Sequence, residues 1–144
     1  MIKKKLSLLL AGAMALSLAA CGGGSATQPG GSDPPPAADG EKVVRIGVFE
    51  PSTCDSGPGG KQEMLGMQYA NQETPTVEVG GETYQVELVY ADNGSDASKA
   101  PTAAAELVSK DVALVLGSYG SGVSIAGGPT FEEAGLAAIG VTCT

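Results

Sequence analysis

From residue 43 onward, short apolar runs alternate with segments whose apolar residues recur at helical spacing, a pattern that restricts the chain to parallel β-α-β units with helices on both faces of one sheet. The first run, over residues 43–49, holds Val43, Val44, Ile46, Val48 and Phe49, and is more continuous than alternating, as a strand covered on both faces requires. A loop over 50–60, with Pro51, Gly57, Pro58, Gly59 and Gly60, leads into a helix over 61–71. Leu65, Tyr69, Met64 and Met67 of that helix are expected to pack on the sheet. Val77-Glu78-Val79-Gly80-Gly81-Glu82-Thr83-Tyr84 predicts a hairpin, because a Gly-Gly pair accepts the positive φ angles of a two-residue turn, and its second arm continues over 86–90.

Asp92-Asn93-Gly94-Ser95-Asp96 ends that strand in turn-forming residues. The helix that follows, to about Lys110, buries Ala100, Ala104, Leu107 and Val108. Pro101 fits it if the helix begins near Ser98, where the missing N–H removes no intrahelical bond. A strand over 113–116 then runs through Gly117-Ser118-Tyr119-Gly120-Ser121-Gly122 into a helix reaching about Ala134, with Pro129 expected to kink it and Gly135 to cap it before a strand over 136–140. This junction is the candidate site. Ligands of open parallel sheets bind beyond the carboxyl ends of the strands, where a helix N-terminus presents free N–H groups to an anion. Ser121 is expected as the N-cap, adding its hydroxyl to the amides of Gly122 and Val123.

Residues 1–20 have the layout of an export signal: Lys3, Lys4 and Lys5, then an apolar stretch over 6–18 too short to span a bilayer, then small residues. Leu18-Ala19-Ala20-Cys21 resembles the lipobox of bacterial lipoproteins, which implies cleavage before Cys21, its acylation, and a membrane anchor that does not span. The alternative is an ordinary secretory signal with Cys21 incidental; both place the remainder outside the cytoplasm. Residues 21–42 are Gly-, Ser- and Pro-rich and include Pro34-Pro35-Pro36, with almost nothing to enter a core. They read as a tether with a reach of roughly 25 Å.

The domain proper is residues 43–144, enough for one modest core but small for two lobes. Without the three signal lysines, five basic residues face sixteen acidic ones, a net charge of −11 that repels nucleic acid and anionic lipid. Histidine is absent and no Cys or carboxylate group has metal-ligand spacing, which argues against zinc or imidazole chemistry. The Gly117 to Gly122 loop matches neither GxGxxG nor GxxxxGK[ST], so a nucleotide-binding enzyme is disfavoured and no cofactor is expected.

Residues 112–144, VALVLGSYGSGVSIAGGPTFEEAGLAAIGVTCT, resemble the strand, serine-bearing loop, proline-containing helix, Glu-Glu-Ala-Gly turn and threonine-ended strand of the type I periplasmic binding proteins of branched-chain amino acid ABC transporters. Val44-Arg45-Ile46-Gly47-Val48 and Tyr90-Ala91-Asp92-Asn93 are similar as well. The resemblance implies an α/β fold, a three-layer α-β-α lobe with a mostly parallel sheet, forming part of a first lobe. It implies a non-enzymatic, extracytoplasmic receptor that hands an amino acid or similar small polar solute to ABC permease subunits. Carried over by residue, the Ser121 hydroxyl and adjacent amides at Gly120 and Gly122 would bind the ligand α-carboxylate, with Thr144 adding hydroxyl and amide. The Thr142 carbonyl would accept from the α-ammonium, and Tyr119 would wall the side-chain pocket.

Members of that family have two lobes that close by hinge bending, with an acidic residue of the second lobe completing the ammonium site. This chain reads as roughly the first third of that length, so little or no ligand affinity is expected of it alone. A sensing receptor on the same lobe, signalling without transport, is left open by the residues. Cys54 and Cys143 both fall on loops at one edge of the sheet, where a disulfide is chemically open. Because the first and fourth parallel strands are not expected to be neighbours, free thiols are the expectation.

Overall fold

The computed structural model describes residues 41–144; the expected export signal over 1–20, the expected acylation site Cys21 and all but the last two residues of the expected tether over 21–42 lie outside the described residues. Eight elements follow in chain order: β1 (Val43–Glu50), α1 (Gly57–Glu73), β2 (Thr76–Val79), β3 (Glu82–Asp92), α2 (Ala100–Ser109), β4 (Leu114–Leu116), α3 (Ser121–Glu133) and β5 (Ala137–Ile139). They build one sheet of five strands in the order β2-β3-β1-β4-β5. Four strands are parallel and β2 alone is antiparallel, hydrogen-bonded to β3 as an edge. This is the mostly parallel α/β sheet expected from the alternation.

β1 is the central strand because its run is apolar on both sides, and it pairs along its whole length with β3, from Val43 opposite Gln85 to Glu50 opposite Asp92. The strand order reverses at β1: the first crossover leads to one side of it and the second to the other. Right-handed crossovers then put α1 on one face of the sheet and α2 with α3 on the opposite face. The α2–α3 face holds the dry core of Phe49, Ala91, Ala100, Ala103, Ala104, Leu107, Val112, Val115, Val123 and Phe131. Phe49 and Phe131 meet edge to face with centroids 5.3 Å apart, an arrangement worth about 1 kcal/mol beyond the area it buries. Gly127 of α3 is required there: a Cβ at that position would lie 2.9 Å from the Phe49 ring.

Local signals in the sequence are realised where they were read. Gly80 and Gly81 take φ of 63° and 83° in the turn between β2 and β3, the positive values of a type I′ hairpin. Pro101 lies in the first turn of α2. Gly135, at φ 69°, closes α3 in a Schellman motif: its N–H donates to the Glu132 carbonyl, and the Leu136 N–H to that of Phe131. Leu136 then packs against the core beside Phe131.

Helix α1 departs from expectation in two ways. It begins at Gly57 rather than residue 61, because Pro58 suits a first helical turn better than a loop. Leu65 and Tyr69 do not pack on the sheet but are 62% and 66% exposed. The reason is the phase set by Gly60, where a Cβ would lie 2.8 Å from Pro51 side-chain atoms, so this glycine must face the end of β1. At about 100° per residue, Leu65 and Tyr69 then point away by roughly 140° and 180°. The inward face is Glu63, Met67, Ala70 and Asn71, which with Ile46, Val86, Leu88 and Leu116 of the sheet lines a groove of about 550 Å³. No helix among the described residues is long and apolar enough to cross a membrane.

Urea unfolding checks this division of faces. Leu107→Ala, at a side chain fully withdrawn from water, is expected to cost about 2–5 kcal/mol, whereas Leu65→Ala should change stability by less than about 0.5 kcal/mol.

Candidate functional site

Parallel strands bring the ends of β1, β4 and β5 to one edge of the sheet, and three loops rise from it: residues 51–56, 117–120 and 140–144. The first two flank the crevice between β1 and β4 where the strand order reverses, the position at which open α/β sheets hold ligands.

Gly120, at φ 120°, turns the chain into α3 and is its N-cap. Ser121 is therefore the first helical residue, not the cap expected from the sequence, since the cap position needs a non-helical backbone that Gly120 supplies. No side chain caps the helix, which leaves its first N–H groups directed out of the crevice edge. The freed Ser121 hydroxyl accepts from the Thr144 N–H at 3.0 Å and lies 3.5 Å from the Thr144 hydroxyl. The structure thus brings Ser121 and Thr144 to one spot beside the N-terminus of α3.

The other residues named from the sequence lie around that spot. Gly122 is exposed in the first turn of α3 and Gly120 is half-buried. Tyr119 is 41% exposed, and its ring stands against Gly59 of α1, where a Cβ would come within 2.7 Å of it. Thr142 is exposed, and its hydroxyl donates to Glu63 of α1 at 2.6 Å. Buried Ser118 is held from below, its N–H facing the Ser124 hydroxyl at 3.4 Å, while that hydroxyl donates to the Gly120 carbonyl at 3.2 Å.

Two acidic residues that were not among the site residues expected from the sequence complete the framework. Glu50, the last residue of β1, is 1% exposed and accepts from the Tyr119 N–H at 2.7 Å. Burial pushes its carboxyl up from the usual 4.5 to about 8; the Tyr119 N–H opposes the shift and the Glu63 carboxyl adds to it. The signal was present as a carboxylate closing an otherwise apolar strand. Asp92, at the end of β3, organises the neighbouring loop. Its desolvation would raise its pKa, but donation from the Thr53 hydroxyl at 2.5 Å and from the Ser52 and Gly94 N–H groups, each at 2.9 Å, outweighs that and holds it at about 2.

Among the described residues no cluster of three His, Cys, Asp or Glu has the geometry to hold a metal ion. Cys54 and Cys143 are free thiols on the loops after β1 and β5, strands separated by β4.

A family profile described as periplasmic binding protein matches residues 43–144. The chain belongs to the periplasmic binding protein family. Among solved structures of the family, a leucine binding protein from Thermotoga maritima is similar at 33% identity and TM-score 0.65, with 71% of this chain and 28% of that chain covered. A branched-chain amino acid transporter substrate binding protein from Streptococcus pneumoniae, solved with isoleucine, is 25% identical at TM-score 0.63, covering 72% of this chain and 30% of that one. A solute binding protein of an ABC transporter from Rhodopseudomonas palustris, solved with 3,4-dihydroxy benzoic acid, shares the fold at TM-score 0.62 and 20% identity, covering 72% of this chain and 28% of its own. A comparison with curated protein sequences finds no match. The chain thus spans less than a third of the length of these relatives.

Acid titration tests the loop framework. Asp92 has a folded pKa below its usual 3.8, so its stabilisation is fully present above about pH 4 and is lost as pH falls toward 2. Asp92→Asn should therefore lower stability at pH 6, with the gap to wild type closing as unfolding is measured at successively lower pH down to 2.

Proposed function

We propose that the chain supplies one wall of an extracytoplasmic receptor site that captures an amino acid of the branched-chain type, or a similar small carboxylate, for an ABC permease. The observation that carries this reading is the meeting of the Ser121 hydroxyl and the Thr144 N–H and hydroxyl beside the uncapped N-terminus of α3. Hydroxyl donors and free helix amides converging on one point suit a carboxylate, and charge-assisted bonds of this kind are about twice as strong as neutral ones.

In this reading the ligand carboxylate displaces the Ser121–Thr144 contact, taking donors from Ser121, Thr144 and the amides near Gly120 and Gly122. The Thr142 carbonyl accepts from the ammonium, and Tyr119 walls the side chain. The ligands named for the similar proteins, leucine, isoleucine and an aromatic acid, share a carboxylate and differ in what lies behind it. Such a site needs no reaction chemistry, which fits a carrier rather than an enzyme. Acylation at Cys21, with the tether to residue 42, would hold the receptor at the outer face of the membrane; support for the anchor is the Leu18-Ala19-Ala20-Cys21 pattern alone.

Nuclear magnetic resonance with titrated leucine, isoleucine and 3,4-dihydroxybenzoate tests the assignment. The expected result is amide shifts centred on Ser121, Gly122 and Thr144. Because Tyr119, Thr142 and Thr144 are open to water, the affinity expected of this chain is millimolar. Ser121→Ala should weaken binding by about tenfold or more, the loss of one hydrogen bond to a charged group. Shifts centred elsewhere, or an unchanged affinity in Ser121→Ala, would overturn the site.

A further inference from the structure

We infer that Glu50 and Glu63 share one proton, and that this carboxyl pair is the positioning device that holds the Tyr119–Ser121 segment and the Thr142–Thr144 segment in register. The positioning role rests on the ligand site proposed above; the shared proton does not.

Glu63 of α1 lies within hydrogen-bonding reach of Glu50 at the end of β1, and each carboxyl has one oxygen in use and one left over. Glu50 Oε2 accepts from the Tyr119 N–H at 2.7 Å, and Glu63 Oε1 accepts from the Thr142 hydroxyl at 2.6 Å. Glu50 Oε1 and Glu63 Oε2 are both buried without a hydrogen-bond partner. Gly117 closes over the first of these: a Cβ there would lie 2.6 Å from Glu50 Oε1, so only a glycine fits against it.

Two ionised carboxylates whose unpaired oxygens are both buried would repel each other and leave both atoms desolvated, a costly arrangement. A single proton on Glu50 Oε1, donated to Glu63 Oε2, supplies the partner that both atoms lack. Glu50 is the member that carries it because it is the more deeply enclosed, 1% exposed where Glu63 is half-buried. Glu63 remains the acceptor for Thr142.

The groups facing Glu50 offer no other resolution. On β3, Asp92 stands opposite it in register, but its carboxylate is taken by Ser52, Thr53 and Gly94. From the loop after β4 comes Tyr119, through its N–H. α1 contributes Glu63, whose charge acts on it. The ion pairs among the described residues are Lys42–Glu82, Arg45–Glu87 and Lys110–Glu106, none of which includes Glu50 or Glu63.

The resulting chain of bonds runs from the Tyr119 N–H through Glu50 and Glu63 to the Thr142 hydroxyl. Residue 119 stands two positions before Ser121 and residue 142 two before Thr144. The exposed Ser121–Thr144 contact is therefore braced from beneath by a chain of bonds whose centre, at Glu50 Oε1 and Glu63 Oε2, is buried. Loss of the proton puts two anions face to face and releases both loops.

The sign of the pH effect follows. A carboxyl titrating at about 8 when folded and near 4.5 when unfolded lends the fold its full stabilisation below pH 4.5, and that is lost progressively up to about pH 8. One proton corresponds to about a tenfold fall in the folding equilibrium constant per pH unit across that window. Glu50→Gln keeps a donor toward Glu63 and an acceptor toward Tyr119 but cannot ionise.

Three ligand-free measurements test the pair, so their outcome is separate from that of the binding titrations. Infrared spectroscopy of wild type at pH 7 should show a protonated carboxyl band that fades between about pH 7 and pH 9 and is missing in Glu50→Gln. Urea unfolding from pH 5 to pH 9 should show the fall in wild type and a flatter profile in Glu50→Gln. Above pH 8, amide exchange at Tyr119 and Thr144 should be faster in wild type than in Glu50→Gln at the same pH. A wild-type spectrum without the band at pH 7 would overturn the shared proton whether or not the variant folds. A Glu50→Gln stability profile as steep as that of wild type would overturn it too. Equal exchange at Thr144 in both proteins would overturn the positioning role.

Discussion

The burial of β1 is the constraint on which the rest of the molecule depends. Its apolar residues face helices on both sides, which fixes it at the centre of the sheet and makes it the strand at which the order reverses. Its carboxyl end is consequently the floor of the crevice. Glu50 sits there because it is the next residue after Phe49, whose ring is locked against Phe131 and Gly127 on the opposite face. Core and site are thus joined by one peptide bond.

The two faces of the sheet do different work. The α2–α3 face is closed by small residues, Ala100, Ala103, Ala104 and Gly127, that let the helices approach closely around Phe49 and Leu107. The α1 face is open, with a groove beside Met67 and Ala70, and its polar contacts gather near the carboxyl edge. Glu63 lies where that groove meets the loops, so α1 contributes to the site through one carboxylate more than through apolar packing.

Electrostatics at the edge follows from which carboxyls find donors. Asp92 has three and stays ionised well into acid; Glu50 has one N–H and is otherwise enclosed, so burial dominates. Two acids on neighbouring positions of adjacent strands therefore titrate on opposite sides of neutrality. The first organises the loop after β1, and the second the loop after β4.

Much of the fold was legible in the sequence because it is written locally. Gly80-Gly81, Pro101 and Gly135 each answer a backbone requirement within a few residues, and the continuous apolar run of β1 announces burial on both faces. The junction carrying Ser121 could be singled out for the same reason, since strand, glycine-rich turn and helix are consecutive. Three matters were settled only by tertiary packing. The rotation of α1 is set by Gly60 against Pro51, not by its apolar spacing, which is why Leu65 and Tyr69 face water. Gly120 rather than Ser121 caps α3, which turns the serine hydroxyl toward Thr144. The meeting of Glu50 and Glu63 joins residues from a strand and a helix, and no spacing along the chain encodes it. Local propensity acts over a turn of chain, whereas the charge and proton state of a buried group depend on what the fold brings against it from elsewhere.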